Sequence, residues 1–256
     1  MEYIVCKEVK MKLKADYHIH STYSKHNHGK SSIEEIVERA YEIGLEEIAI
    51  TDHGPAHYLF GIKRSLIGEA KNIVVEMRKK YPNLKILYGV EANLLDYNGT
   101  TDIESEILKH CDIILCGFHL AAAYTTAGDY WNFIVKNRLA KNNEKLYKEM
   151  VEKNTQAVVN AMNRYNINIL THPGDKIPLN IDKIAQTAEK TNTLLEINNS
   201  HGHLNKDEIK IAAKYNVQFV INSDSHIKDN VGSCDNALKA AMEAGIDLKR
   251  IINLKS

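Results

Sequence analysis

Seven short apolar runs in this chain each end in side chains able to hold a cation. They are Asp16-Tyr17-His18-Ile19-His20, Thr51-Asp52-His53-Gly54, Gly89-Val90-Glu91-Ala92-Asn93, Gly117-Phe118-His119, Thr171-His172-Pro173, Glu196-Ile197-Asn198 and Ser223-Asp224-Ser225-His226. A lone histidine after a strand is more often a hydrogen-bonding loop residue than a ligand, and a lone carboxylate there is usually solvated. Repetition at nearly every run needs seven coincidences, and a metal site needs none. In the H-x-H pair, both imidazoles lie on one side of an extended strand. Imidazole and carboxylate donors without cysteine suit zinc, manganese or iron. A carboxylate such as Glu91 can bridge two cations, and cations about 4 Å apart can generate a hydroxide nucleophile and clamp phosphoryl oxygens. Clustered positive charge favours a phosphate dianion over a neutral amide.

Such residues converge only if the fold brings their strand ends together. Strand-type runs cover 17–19, 47–51, 85–90, 112–117, 168–171, 193–197 and 218–222, and helix-period stretches cover 32–43, 69–80, 102–110, 181–191, 207–215 and 235–244. Ser32 caps the first helix, and Asn180 or Asp182 opens the fourth. Strands alternating with helices imply a mostly parallel sheet, open or closed into a barrel. In a parallel barrel every C-terminal strand end points to one face, where active sites sit. Two connections are longer, 54–68 and 120–165. A helical break is expected near Asn154-Thr155, and a last short strand at 250–254. With no Pro/Ser-rich linker or repeat, one domain over 1–256 is the simplest reading, with 1–12 as an N-terminal extension.

Composition excludes more than it identifies. Thirty-three basic residues balance thirty-three acidic ones, so no electrostatic footprint for nucleic acid stands out. The first residues lack the apolar core of a signal peptide, and eighteen unbroken apolar residues occur nowhere. Cys6, Cys111, Cys116 and Cys234 form no C-x-x-C pair, which fits buried thiols in a reducing cytoplasm. Neither a membrane partner nor nucleic acid is expected. Tyr and Trp residues in 124–133 are the only sequence pointers to a homo-oligomer.

The ordered motifs DYHIHS, ITDHGP, GVEAN, CGFH, NTQA, LTHPG, LEINNS and NSDSH run from residue 16 to 226. In this order the chain resembles the PHP (polymerase and histidinol phosphatase) superfamily, and looks closest to its stand-alone bacterial phosphatase branch. The resemblance implies a distorted seven-stranded (β/α) TIM-like barrel and a site for three divalent metals, zinc first, with manganese or iron as alternatives. Carried over by position, His18, His20, Glu91 and Asp224 would hold one metal. Glu91, His119 and His172 would hold a second, and His26, His53 and His226 the third. His28 lies close enough to compete with His26. Asp16 and Asp52 would orient neighbouring imidazoles, and Glu196 would act behind the ligands. Asn198, His201, Lys63 and Arg64 are candidate contacts to substrate, the two cations for phosphate oxygens.

The implied activity is hydrolysis of a small phosphomonoester by a hydroxide that bridges metals held by Glu91, Asp224 and His226. Three other readings stand beside it: a histidinol-phosphate phosphatase, a PHP-type nuclease, and a non-catalytic metal-binding regulatory module. The chain's departures from relatives are its end at Ser256 and a longer 120–153 stretch. Neither touches a ligand position.

Overall fold

Alternating strands and helices build one seven-stranded parallel sheet, in the order β1 to β7, in a computed structural model that describes residues 11–255. The strands are β1 Ala15–Asp16, β2 Glu47–Ile50, β3 Lys85–Asn93, β4 Ile113–Gly117, β5 Ile169–Leu170, β6 Leu194–Asn198 and β7 Phe219–Asn222. Helices α1 Ile33–Glu42, α2 Ile67–Lys80 and α3 Ser105–Leu108 fall between the first four strands. Then come α4 Ala127–Tyr130, α5 Asn137–Ala140, α6 Glu144–Arg164, α7 Ile181–Thr191, α8 Lys206–Ala212 and α9 Asp235–Ala244. The sheet curls until its edges nearly meet, a (β/α)7 barrel. Across the seam Ile19 bridges Ser225, and the Asn222 side chain accepts from the Tyr17 amide. The expected N-terminal extension lies, up to residue 10, outside the described residues.

Strand alternation separates two apolar layers. Ala49, Ile113, Leu115, Ile169 and Val220 fill the barrel interior. Their neighbours Ile48, Ile50, Ile114, Cys116, Leu170 and Ile221 face the helices in the larger core. Period-two geometry then fixes what lies above the interior layer. Past Ile113 and Leu115, β4 turns Gly117 inward; past Gly89, β3 turns Glu91 and Asn93 inward. Helix caps agree with the sequence. Ser32 and Glu35 form a capping box at α1, and the Asn180 side chain accepts from the Lys183 amide at α7.

The structure corrects two expectations. No break occurs at Asn154-Thr155, and α6 runs unbroken for 21 residues. Both residues are buried: Asn154 bonds sideways to Asn137 and to Pro178 O, while Thr155 donates back to Val151 O within α6 and accepts from the Asn180 amide. Polar side chains that read as a cap therefore anchor neighbouring segments. The tail at 250–254 forms no strand, only bridges from Ile251 to Phe219 and from Leu254 to Leu13. Instead the fully buried Asn253 side chain joins the barrel seam, donating to Ala15 O and Ile221 O and accepting from the Ile221 amide.

Candidate metal centre

The C-terminal strand ends open into a cavity of about 420 Å³ lined by His28, His53, Glu91, His119, His172, His201, Asp224 and His226 among others. Glu91 is its pivot, fully buried at the end of β3. Its Oε1 lies 3.2 Å from His119 Nε2 and 3.0 Å from His172 Nε2. Its Oε2 lies 3.3 Å from His18 Nε2, 3.7 Å from His20 Nε2 and 2.8 Å from His53 Nδ1. Asp224 Oδ1 approaches His20 Nε2 at 3.3 Å and His18 Nε2 at 3.6 Å. Four ligand-type groups fall out of this crowding: His18/His20/Glu91, His18/His172/Asp224, His53/Glu91/His119 and His20/His53/His226.

Making room for the cluster constrains the backbone. His172 and Asp224 sit at φ 30° and 52°, in the left-handed region that non-glycine residues adopt only when surroundings enforce it. Gly117 admits no side chain at all. A Cβ there would stand 2.4 Å from Thr171 Oγ1, 2.9 Å from His172 Cε1 and 3.1 Å from Glu91 Oε1.

The donor chemistry fits divalent cations. His20 Nδ1, His53 Nδ1, Glu91 Oε2 and His119 Nε2 are buried without a hydrogen-bond partner, although His53 Nδ1 and Glu91 Oε2 are close. Imidazole nitrogens also face one another, His18 and His20 Nε2 at 3.2 Å and His28 and His226 Nε2 at 2.7 Å. Buried polar atoms are normally paired, so lone pairs aimed at a common space suit a positive ion. Protonation states point the same way. Burial would raise Glu91, but the neighbouring His119, His18 and His53 rings outweigh it and hold the carboxyl well below its usual range. Asp224 is likewise held low, burial being outweighed by His18 and His20. Burial pushes His28 down to about 3 and His226 down to about 4, and it takes His53 well below its ordinary value, so these rings are neutral near pH 7. His18 is the counterpart: burial opposes its charge, yet Asp224, Glu91 and Glu196 raise it.

The sequence-derived positions mostly converge here, with four corrections. His26 is exposed in a turn at φ 55°, whereas His28 Nε2 lies 3.3 Å from His53 and 2.7 Å from His226. Register decided this: the turn after Ser24 turns residue 28, stacked on Phe60, back over the cavity. Asp16 and Asp52 hydrogen-bond no imidazole, although His20 acts on the Asp52 charge. Asp16 bonds Ser223 and the Gly232 amide, and Asp52 gathers Ser21 and Ser24. Ring orientation falls instead to Glu196, which takes His18 Nδ1 at 2.8 Å, and to Asn93, whose Oδ1 lies 2.8 Å from His119 Nδ1. Arg64 pairs with Glu104 outside the cavity, and Lys63 is exposed and does not line it. Asn198 is buried, donating to Glu196 and Asp224, so it braces carboxylates and does not line the cavity.

His201 does line the cavity, bridging Asp175 and Asp224 at 3.2 Å each, and those bonds lift it to about 10. Sequence reasoning missed Asn93 as a partner of His119, although it stands two residues past Glu91 on the inward face. It also missed Asp175 and Lys176, which follow LTHPG directly and line the mouth.

The chain resembles known proteins in sequence and in fold. The PHP domain family model matches residues 16–200. A protein from Thermoanaerobacter sp. named a probable phosphatase is 31% identical over 258 residues, covering 95% of this chain and 91% of the relative. One from Acetivibrio thermocellus, also named a probable phosphatase, is 29% identical, covering 95% and 92%. Among solved structures, a histidinol phosphate phosphatase from Lactococcus lactis, complexed with zinc, L-histidinol and phosphate, superimposes with a TM-score of 0.59. It is 18% identical and covers 90% of this chain and 92% of its own, a likeness of fold.

Proposed function

This chain belongs to the PHP domain family, and from that premise we propose that it is a metal-dependent phosphatase that hydrolyses a small phosphomonoester at a site for three divalent cations. The observation that carries the reading is the set of buried, unpartnered nitrogen and oxygen atoms converging on one cavity around Glu91. His18, His20, Glu91 and Asp224 would hold one cation, and Glu91, His119 and His172 a second. His28, in place of His26, would join His53 and His226 around the third. Zinc suits these donors, as do manganese and iron. Bound there, divalent cations supply activated water and neutralise charge on a phosphoryl group.

The chain's own residues do the rest. Glu196 fixes His18 with its Nε2 toward Glu91, a bond behind the ring that orients a ligand and raises its basicity. Leu59, Phe60, Phe118 and Leu120 give the cavity an apolar wall that excludes water from one side. Among the described residues that line the cavity, Lys176 is the one Lys or Arg, with its Nζ 2.9 Å from Asp175 Oδ2. It supplies the positive charge at the mouth that Lys63 and Arg64 do not.

The test pairs metal analysis with turnover. Zinc- or manganese-loaded protein should hydrolyse some members of a phosphomonoester panel that includes L-histidinol phosphate, with close to three cations per chain. His28→Ala should lose one cation and most activity, while His26→Ala should lose neither. No turnover across the panel, or at most one cation per chain, overturns the reading.

A further inference from the structure

Behind His119 runs a buried relay that nothing in the motif pattern marks. The Asn93 side-chain amide Nδ2 faces two acceptors, Asp102 Oδ2 at 2.7 Å and Gly54 O at 3.3 Å. Gly54 O can only accept, and both Asp102 oxygens already accept from backbone amides, so the NH2 end points that way and the Oδ1 end faces His119 Nδ1, 2.8 Å off. His119 can meet that oxygen only by carrying its proton on Nδ1. In the neutral ring Nε2 is then the lone-pair nitrogen; it lies 3.2 Å from Glu91 Oε1 and has no hydrogen-bond partner.

Asp102 is what makes the amide orientation compulsory. It is buried at 4% exposure, and its second oxygen accepts from the Asn93 backbone amide at 2.7 Å while Oδ2 also takes the Ala56 amide at 2.9 Å. The carboxylate is an acceptor at both ends, so a flipped Asn93 would put oxygen against oxygen. Its approach requires Gly54, because a Cβ at that position would stand 2.3 Å from Asp102 Oδ2.

We propose that Asp102 is a positioning residue that sets the tautomer of His119 through Asn93, keeping His119 Nε2 available to a cation. This rests on the three-cation reading above. It assigns work to a residue nine positions beyond the nearest motif and gives the glycine of the D-H-G triplet a steric purpose.

Replacing Asp102 by Asn changes almost no volume but puts an NH2 where an acceptor stood. At the Oδ2 place that NH2 meets both the Ala56 amide and the Asn93 NH2, and at the Oδ1 place it meets the Asn93 backbone amide, so either orientation breaks the acceptor set that fixes Asn93. Asn93 is then free to flip, turning its NH2 to His119 Nδ1 and moving the ring proton to Nε2. Zinc titration of the stripped protein, with side-chain nitrogen NMR of histidine and circular dichroism, reads the outcome. Wild type should bind three zinc ions and show His119 protonated on Nδ1. Asp102→Asn should keep its fold and two zinc affinities, lose about 10–100-fold in the remaining one, the usual cost of removing such a partner, and show Nε2–H. The reciprocal pair Asn93→Asp with Asp102→Asn restores an acceptor facing Nδ1 and should recover zinc binding relative to the single variant, including where that variant fails to fold. Three unchanged affinities, uniform weakening of all three, a retained Nδ1 proton, or no recovery in the pair overturns the assignment. Wild type that binds at most one zinc overturns the three-cation reading itself, and this inference with it.

Discussion

Gly117→Ala tests whether the crowding around Glu91 is functional geometry. Gly117 belongs to β4 and takes no left-handed backbone, so alanine meets no torsional objection there. Its methyl would meet Thr171 Oγ1 at 2.4 Å and His172 Cε1 at 2.9 Å. Ordinary contacts lie at about 3.5–4 Å, so Thr171 and His172 must each retreat by about 1 Å. Overpacking of this kind costs about 1–3 kcal/mol of stability. The same retreat lengthens the 3.0 Å approach of His172 to Glu91 and breaks the 2.8 Å bond from Thr171 to Glu91 Oε1. A misplacement of about 1 Å at a reacting centre is worth on the order of 10²-fold in rate. Zinc content by elemental analysis and kcat on the best ester of the panel should therefore both fall, kcat by about 100-fold. Gly68→Ala is the control: in α2 its methyl's nearest neighbour is His110 Cε1 at 3.7 Å, and a helical Gly→Ala change adds up to about 1 kcal/mol. Wild-type zinc content and kcat in Gly117→Ala would refute the reasoning.

Three further outcomes are expected. Asn253→Ala leaves buried backbone groups of Ala15 and Ile221 without partners at the barrel seam, each worth about 1–3 kcal/mol. Urea unfolding should show a loss of about 3 kcal/mol, and a loss below about 1 kcal/mol would contradict the bridging role. Lys176→Met should raise KM for esters carrying a second anionic group while leaving kcat near wild type, and an unchanged KM would remove the lysine from recognition. In metal-free protein, burial holds His28 near about 3 and His57 and His226 near about 4, so below about 6.5 the unfolded chain binds protons that the folded one refuses. Stability then falls as pH drops from about 6.5 towards 4. His201, lifted to about 10 by Asp175 and Asp224, keeps a proton that the unfolded chain loses, so stability also falls as pH rises from about 6.5 towards 10. Melting temperature should peak near neutrality, and a monotonic profile from pH 4.5 to 9.5 would count against these assignments.

The chain's order of strands and helices, and the placing of Glu91, His119, His172 and Asp224 at strand ends, were legible because both depend on local periodicity. Hydrophobic alternation along β3 and β4 dictates which side chains turn inward, and a parallel barrel sends all such ends to one face. Position along the chain says less where the backbone turns irregularly. His26 and His28 differ by two residues, and only the fold of the 24–28 turn against Phe60 and His226 selects His28. Tertiary packing likewise decided the partners behind the ligands. Asp52 reads as a brace for imidazoles but bonds Ser21 and Ser24. Asp102, which belongs to none of the motifs, reaches Asn93 because Gly54 leaves space for it. The sequence determined which residue types could gather at the mouth of the barrel. Which of them face one another, and which proton each ring carries, follows from contacts between segments far apart in the chain, and no local pattern encodes those distances.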